Sequence, residues 1–400
     1  MSDGVGYEPV SVKAVLAEMK DTAELLIDLS YSAVLLDNAE VAAEVLELEE
    51  KMDVLQLRAR MSLLMAARSP DDAESLAPVL GVVGAAEKIS DAAGDIAKVV
   101  LEEVGLPAEL RGALPEAVET LVRAELVADS PLAGETLGGL ALEAETGVRV
   151  LAVRRAEEWL LNPDADTRLE AGDVLLIRGP ETGIRTVYPD ATGEPYEPRE
   201  PVEPEVADLD RAVDSIILMK DMGELAVDLA YGAVLFDSAD LAEEVFELEA
   251  EVDALQSRFE AWTLRAAARV EDPVSLRGLV QLAGAVEVVS DAALEISEGV
   301  LRGIATHPVV AEAVRESDEV IVRREVGAGA QLDGATLEEL TVKTRTGMRV
   351  IAVRRTDPGA GEPWVLSPGP ETRLAAGDVV LAKGPRGGVD RLAELLSSRS

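Results

Sequence analysis

The chain has 400 residues, with 77 acidic against 37 basic side chains and a formal net charge of -40. Such a field repels nucleic acid and anionic headgroups, which excludes DNA, RNA and lipid-surface binding by the chain as a whole. The absence of cysteine and the presence of one histidine, His307, remove disulfides, thiolate chemistry and zinc held by those ligands, while 48% apolar residues in periodic order separate the chain from disordered acidic sequences.

Only eight of the basic residues are lysine and aromatics are 3% of the chain, a composition similar to that of proteins from salt-loving microbes. No charged-then-apolar leader opens the sequence and no uninterrupted apolar run reaches about 18 residues. A cytoplasmic protein is expected, reaching a membrane only through a partner.

In chain order, Val12, Val15, Leu16, Met19, Ala23, Leu26, Ser30 and Ala33 form a helical stripe. Asp37-Asn-Ala-Glu40 resembles an acidic capping box that starts a second helix, and Ser69-Pro70 separates that helix from a third. The third carries Val79, Val82, Val83, Ala86, Ile89, Ala93, Ile96 and Val100 at steps of three and four. The period then changes: a short helix from about Thr136 precedes the β-branched runs VRVLAVRR and DVLLIRGP, bounded by Gly, Pro and Asn-Pro turns. A connector containing Pro189, Pro195, Pro198, Pro201 and Pro204 is expected to be extended.

The whole pattern then recurs at a shift of 200 residues. MKDTAELLIDL from Met19 lies on MKDMGELAVDL from Met219, GVRVLAVRR from Gly147 lies on GMRVIAVRR from Gly347, and five extra residues before Trp364 move the later pairs to a shift of 205. The expected fold class is α+β multidomain. Two three-helix bundles, 8–108 and 207–307, alternate with two small α+β modules, 112–185 and 312–397, across a linker at 186–206.

Two sets of residues are candidates for binding. EKISDAAGDI places Glu87 and Asp91 one turn apart, EVVSDAALEI does the same with Glu287 and Asp291, and Glu24 with Asp28 and Glu224 with Asp228 repeat the spacing. A step of four turns a helix by only about 40°, so each pair shares a face, where like charges repel unless a cation sits between them. Carboxylate oxygens suit a divalent metal or iron. The same ladders also read as solvating faces in a chain this acidic. The second set is basic: Arg149, Arg154 and Arg155 in the first module, and Lys343, Arg345, Arg349, Arg354 and Arg355 in the second, where Glu143 and Glu145 stand at the first module's counterparts of Lys343 and Arg345. Such a group suits a phosphate-bearing anion, and surface ion pairing is the competing reading.

No serine has a histidine base beyond His307, and no P-loop occurs. The chain is not expected to be an enzyme. Gly327-Ala-Gly329 lacks the third glycine and later acid of a dinucleotide loop, so it reads as a turn and NAD is not expected.

EKISDAAGDIA, with the Glu24-Leu-Leu-Ile-Asp28 and Glu224-Leu-Ala-Val-Asp228 turns, resembles the PhoU family of three-helix bundles, whose repeated acidic motifs bind metal clusters in some members. GVRVLAVRR with TRLEAGDVLLIRGP, and their second copies, resemble the C-terminal regulatory domain of TrkA-type potassium transport proteins, the RCK C-terminal domain. That resemblance implies a sensor of a small ligand, cyclic di-AMP in several members, which controls a cation channel or transporter for potassium or magnesium. It also implies pairing of the modules, within the chain or in a homodimer. The PhoU resemblance alone implies a metal-binding adaptor in phosphate uptake signalling.

Overall fold

The computed structural model describes residues 12–107, 120–156, 158–161, 163–197, 206–302, 319–356, 363–366 and 368–397. His307 and most of the proline connector lie outside them.

The first bundle consists of α1 (Val12–Leu36), α2 (Ala39–Ala66) and α3 (Pro70–Leu101). The stripe of α1 is the buried face: Val15, Met19, Ala23, Leu26, Ser30 and Ala33 are all inside. The cap of α2 lies one residue later than the expected box. Asn38 accepts from the amides of Glu40 and Val41 at 3.0 and 3.1 Å, while Asp37 takes a left-handed φ of 49° that closes α1. The second repeat makes the same turn with Asp237 and Ser238. An Asn or Ser hydroxyl or amide oxygen caps as well as aspartate, and the left-handed position ends one helix so that the next can start at once. Pro70 opens α3 at a position where its missing N–H costs nothing.

The first module is a four-stranded antiparallel sheet in the order β1 (Thr120–Glu125), β4 (Val174–Gly179), β2 (Arg149–Arg155), β3 (Glu158–Leu161). Short helices α4 (Leu137–Leu140) and α5 (Leu142–Thr146) precede β2, with Thr136 capping α4. A helix, α6 (Glu181–Thr192), follows β4 and occupies the first part of the expected extended connector. Its residues Ile184, Val187 and Ala191 recur at helical spacing and are buried, and this burial outweighs the helix-breaking tendency of Pro189.

The second repeat gives α7 (Ala207–Phe236), α8 (Ala239–Ala267), a 3₁₀ turn at Pro273–Leu276 and α9 (Arg277–Leu301). Its module contains β5 (Glu319–Glu325), α10 (Val342–Thr346), β6 (Arg349–Arg354), β7 (Trp364–Leu366), β8 (Val379–Pro385) and α11 (Val389–Leu396), with sheet order β5-β8-β6-β7. Gly327 to Gly329 form a turn, as expected, with the Gly329 amide donating to Asp333 at 2.8 Å.

Each sheet has two buried faces. Leu121, Ala152 and Leu176 join the helical core, while Val150, Val153, Leu175 and Ile177 pack beneath the module's own helices. A β-bulge between Val150 and Ala152, matched between Val350 and Ala352, shifts the alternation so that both faces are served. The repeats meet through helices. α3 runs antiparallel to α9, with Pro78 against Gly299 and Val99 against Gly278, and α1 crosses α7. The two sheets stay separate.

Candidate functional site

The seam between bundle and sheet is fastened by one buried carboxylate in each repeat. Glu44 lies on the buried face of α2 between Val41 and Leu48, and its side chain is 5% exposed. Arg154 donates to it through Nε at 2.6 Å and Nη2 at 2.5 Å, and Arg123 donates through Nε at 3.0 Å. Glu244 repeats the arrangement with Arg354 at 2.7 and 2.9 Å and Arg323 at 2.6 Å. Burial opposes ionisation of Glu244, but the hydrogen bonds and charges of Arg354 and Arg323 hold its carboxyl below the usual range.

Arg155 and Arg355 are also engaged. Arg155 donates to both oxygens of Asp173 at 2.8 Å, and Arg355 donates to Asp378 and to the Arg373 carbonyl. These aspartates follow Gly172 and Gly377, whose φ values of 89° and 88° require glycine. The glycine-aspartate step therefore folds back the loop before β4 and β8. Of the eight residues expected to hold an anion, Arg154, Arg155, Arg354 and Arg355 are tied to the protein's own carboxylates. Arg149, Lys343, Arg345 and Arg349 are exposed, and no hydrogen bond or ion pair reaches their side chains among the described residues.

The acidic turns of α1 and α7 come together. On α1, Lys20, Glu24, Asp28 and Tyr31 share one face, and Lys220, Glu224, Asp228 and Tyr231 do so on α7. The helices cross in opposite senses, which brings Glu24 beside Asp228 and Asp28 beside Glu224. Within each helix a lysine binds the carboxylate one turn on, Lys20 to Glu24 at 2.5 Å and Lys220 to Glu224 at 2.9 Å, and Lys220 also reaches Asp221 at 2.9 Å. Across the crossing Lys220 lies 5.6 Å over the Tyr31 ring. Each module adds one cation from the equivalent strand position: Arg178 of β4 pairs with Asp28 at 2.7 Å, and Lys383 of β8 lies in the field of Asp228 and Glu24.

The proton balance of this cluster is uneven. Desolvation and the neighbouring charge of Glu24 push Asp228 up to about 7, against the pull of Lys383 and Lys20. Protonated Asp228 donates to Glu24. Burial opposes ionisation of Glu24, but the charge of Lys20 and that hydrogen bond hold it below the usual range. Desolvation pushes Glu224 up, with Lys220 pulling it back and Asp28 adding to the rise. The hydroxyls of Tyr31 and Tyr231 are buried with no hydrogen-bond partner among the described residues, and burial next to Glu224 and Glu24 respectively raises both phenols.

The other acidic pairs stand apart, on the outer groove of each bundle. Glu87 pairs with Arg60 at 3.0 Å, and Glu287 accepts from Gln256 at 2.7 Å. Desolvation followed by the charges of Glu87, Asp53 and Asp95 raises Asp91, and desolvation with Glu287 and Asp253 raises Asp291. Among the described residues, no three acidic side chains converge in an arrangement that could hold a metal ion. Sequence reasoning passed over Glu44, Glu244, Lys20, Lys220, Arg178 and Lys383. An acid inside the apolar stripe of α2 was the signal available for the first two.

Family models describe the same alternation. The PhoU domain matches residues 16–100 and 216–300, and the TrkA-C domain matches 121–190 and 321–397. The chain is a tandem of PhoU and TrkA-C domains. It is similar to Ktr system potassium uptake protein A of Vibrio alginolyticus, 43% identical over 61 residues that make up 15% of this chain and 28% of the relative. A second relative, Ktr system potassium uptake protein C of Bacillus subtilis (strain 168), is 37% identical over 60 residues, 15% of this chain and 27% of the relative. The chain thus spans less than a third of the curated relatives it matches. Among solved structures, PhoU from Pseudomonas aeruginosa aligns with a TM-score of 0.40 and 14% identity, covering 76% of this chain and 96% of that one. The GsuK RCK domain aligns at 0.18 and 15%, covering 70% and 64%. At these scores the likeness adds nothing to the fold described above. No helix among the described residues is long and apolar enough to cross a membrane.

Proposed function

We propose that the chain regulates a membrane cation transporter, with potassium or magnesium as the expected cargo, from the cytoplasmic side. The TrkA-C modules take a small anionic ligand, for which cyclic di-AMP is the candidate, and the PhoU bundles pass on the change. The short matches to potassium uptake proteins support the transport setting. The observation that carries the reading is the position of Arg178 and Lys383. Each belongs to a module strand, and each is committed to the carboxylates at the crossing of α1 and α7.

Arg149 lies directly across from Arg178, and Arg349 lies across from Lys383. An anion held by Arg349, Lys343 and Arg345 would compete with Asp228 and Glu24 for the field of Lys383. Such a ligand shifts the packing of the repeats by the difference in its affinity for the two arrangements. The acidic ladders favour no second reading as a metal-binding adaptor, since their carboxylates are paired with cations or do not converge.

The test is recovery of the tagged full chain from gently solubilised membranes, together with calorimetric titration of cyclic di-AMP into the wild type and a Lys343→Glu/Arg345→Glu variant. A stoichiometric cation transporter in the eluate and binding lost in the variant are expected. Recovery from the soluble fraction alone at every salt concentration would overturn the regulatory reading. Identical titrations of the two proteins would remove the ligand site.

A further inference from the structure

The outer groove between the second and third helices of each bundle has a polarity that solvation does not explain. α2 and α3 run antiparallel, with Arg60 reaching Glu87 and Glu49 covering the backbone of Gly94. This register puts Leu64 of α2 level with Leu80 and Gly84 of α3. Leu64 is 72% exposed, and open space lies where a side chain at Gly84 would begin. One turn further along, the groove turns acidic through Asp53, Glu49, Asp91 and Asp95. Burial and the repulsion among these groups raise Glu49 and Asp91 against the pull of Lys98, which pairs with Asp95 at 3.1 Å.

The second repeat keeps part of this pattern. Leu264 is 74% exposed, Val280 replaces Leu80, Gly284 has the same open floor, and Glu249, Asp253 and Asp291 form the acidic run, while Ser257, Glu260 and Ala261 stand where the first repeat has Leu57, Arg60 and Met61. An exposed leucine beside Leu80 or Val280, next to an acidic run, recurs at the same point of both copies, and this pairing of apolar and acidic surface is what a partner could read.

We infer that each groove docks an amphipathic helical segment of a partner protein, with its apolar residues on Leu64 and Leu80 or on Leu264 and Val280 and its Lys or Arg residues along the acidic run. The partner presents two such segments related by a two-fold axis, because the antiparallel contact of α3 with α9 sets the grooves in that relation. A second copy of this chain is the wrong occupant, since it would place one acidic run against another. An anionic lipid surface is disfavoured for the same reason. The grooves present this pattern whether or not the partner is a transporter.

The probe is a fluorescent helical peptide of about 18 residues, long enough to span the groove, with leucines on one face of its first half and lysines in its second. It is titrated into the full chain in about 1 M KCl, where the Debye length is about 3 Å and diffuse attraction is screened. Two peptides should bind per chain, one after Leu64→Asp and none after Leu64→Asp with Leu264→Asp. A peptide with the halves exchanged should bind at least about tenfold more weakly. Gly84→Arg with Gly284→Arg, which fills the floor with positive charge, should also abolish binding. Absence of binding to the wild type, or binding that none of these substitutions reduces, would overturn the inference. So would a fall in oligomeric state of the double leucine variant in sedimentation equilibrium, which would assign the patch to self-association.

Discussion

Asp228→Asn isolates the proton at the crossing of α1 and α7. The asparagine amide can still donate to Glu24, as the protonated carboxyl does, but it cannot ionise. Because Asp228 has its folded-state value raised from 3.8 to about 7, the folded chain binds more protons than the unfolded chain between those limits. Its contribution to stability is complete below pH 4 and is lost as pH rises towards 7. At about 1.36 kcal/mol per pH unit, the wild type should lose about 3 kcal/mol relative to Asp228→Asn between pH 5 and pH 8. The assay is urea unfolding of both proteins at fixed high KCl across that range, comparing only their difference. Glu244, whose lowered value acts in the opposite direction and which lies apart from Asp228, then cancels. Parallel curves for the two proteins would show that Asp228 carries no proton at neutral pH and would refute the shared-proton geometry.

Lys383→Ala removes a charge that pulls the Asp228 carboxyl down, so its midpoint in a ¹³C-detected carboxyl titration should rise; an unchanged midpoint would place the ammonium elsewhere. Glu244→Ala leaves Arg323 and Arg354 without their shared carboxylate at the seam and should cost about 3 kcal/mol in urea unfolding, with a loss below about 1 kcal/mol counting against the buried hub. Tyr231→Phe deletes a buried hydroxyl that has no partner among the described residues. It should leave stability unchanged or raise it by about 1 kcal/mol, whereas a marked loss would reveal a bound group on that hydroxyl. Gly172→Ala forces a β-carbon onto a φ of 89° and should destabilise by about 1 kcal/mol or more, while Gly134→Ala at a similar φ provides the comparison for a turn without the following aspartate.

The duplication, the three-helix bundles and the strands β2, β4, β6 and β8 were legible because each leaves a period or a repeat in the sequence. The offset cap at Asn38 was less legible, since Asp37 and Asn38 are both capable caps and only the left-handed geometry at Asp37 decides between them. The helix α6 was hidden by its proline content, which competes with a stripe of only three buried residues. The acidic turns at Glu24 and Glu224 were visible, but their meeting was not. Helical spacing says which residues share a face and nothing about which distant face will oppose them. Three of the chain's eight lysines, Lys20, Lys220 and Lys383, converge on this one cluster, so the scarcity of lysine marked the site more sharply than the abundance of acid.

Covalent fusion of the repeats frees each half from keeping the other's chemistry. In a dimer of identical subunits, a residue altered in one arm is altered in both. Here Arg178 faces Asp28 while Lys383 occupies the equivalent strand position near Asp228, and Lys343 and Arg345 replace Glu143 and Glu145. One arm can therefore change its charges while the other keeps its own, a freedom open to a covalently duplicated chain and closed to a dimer of identical subunits.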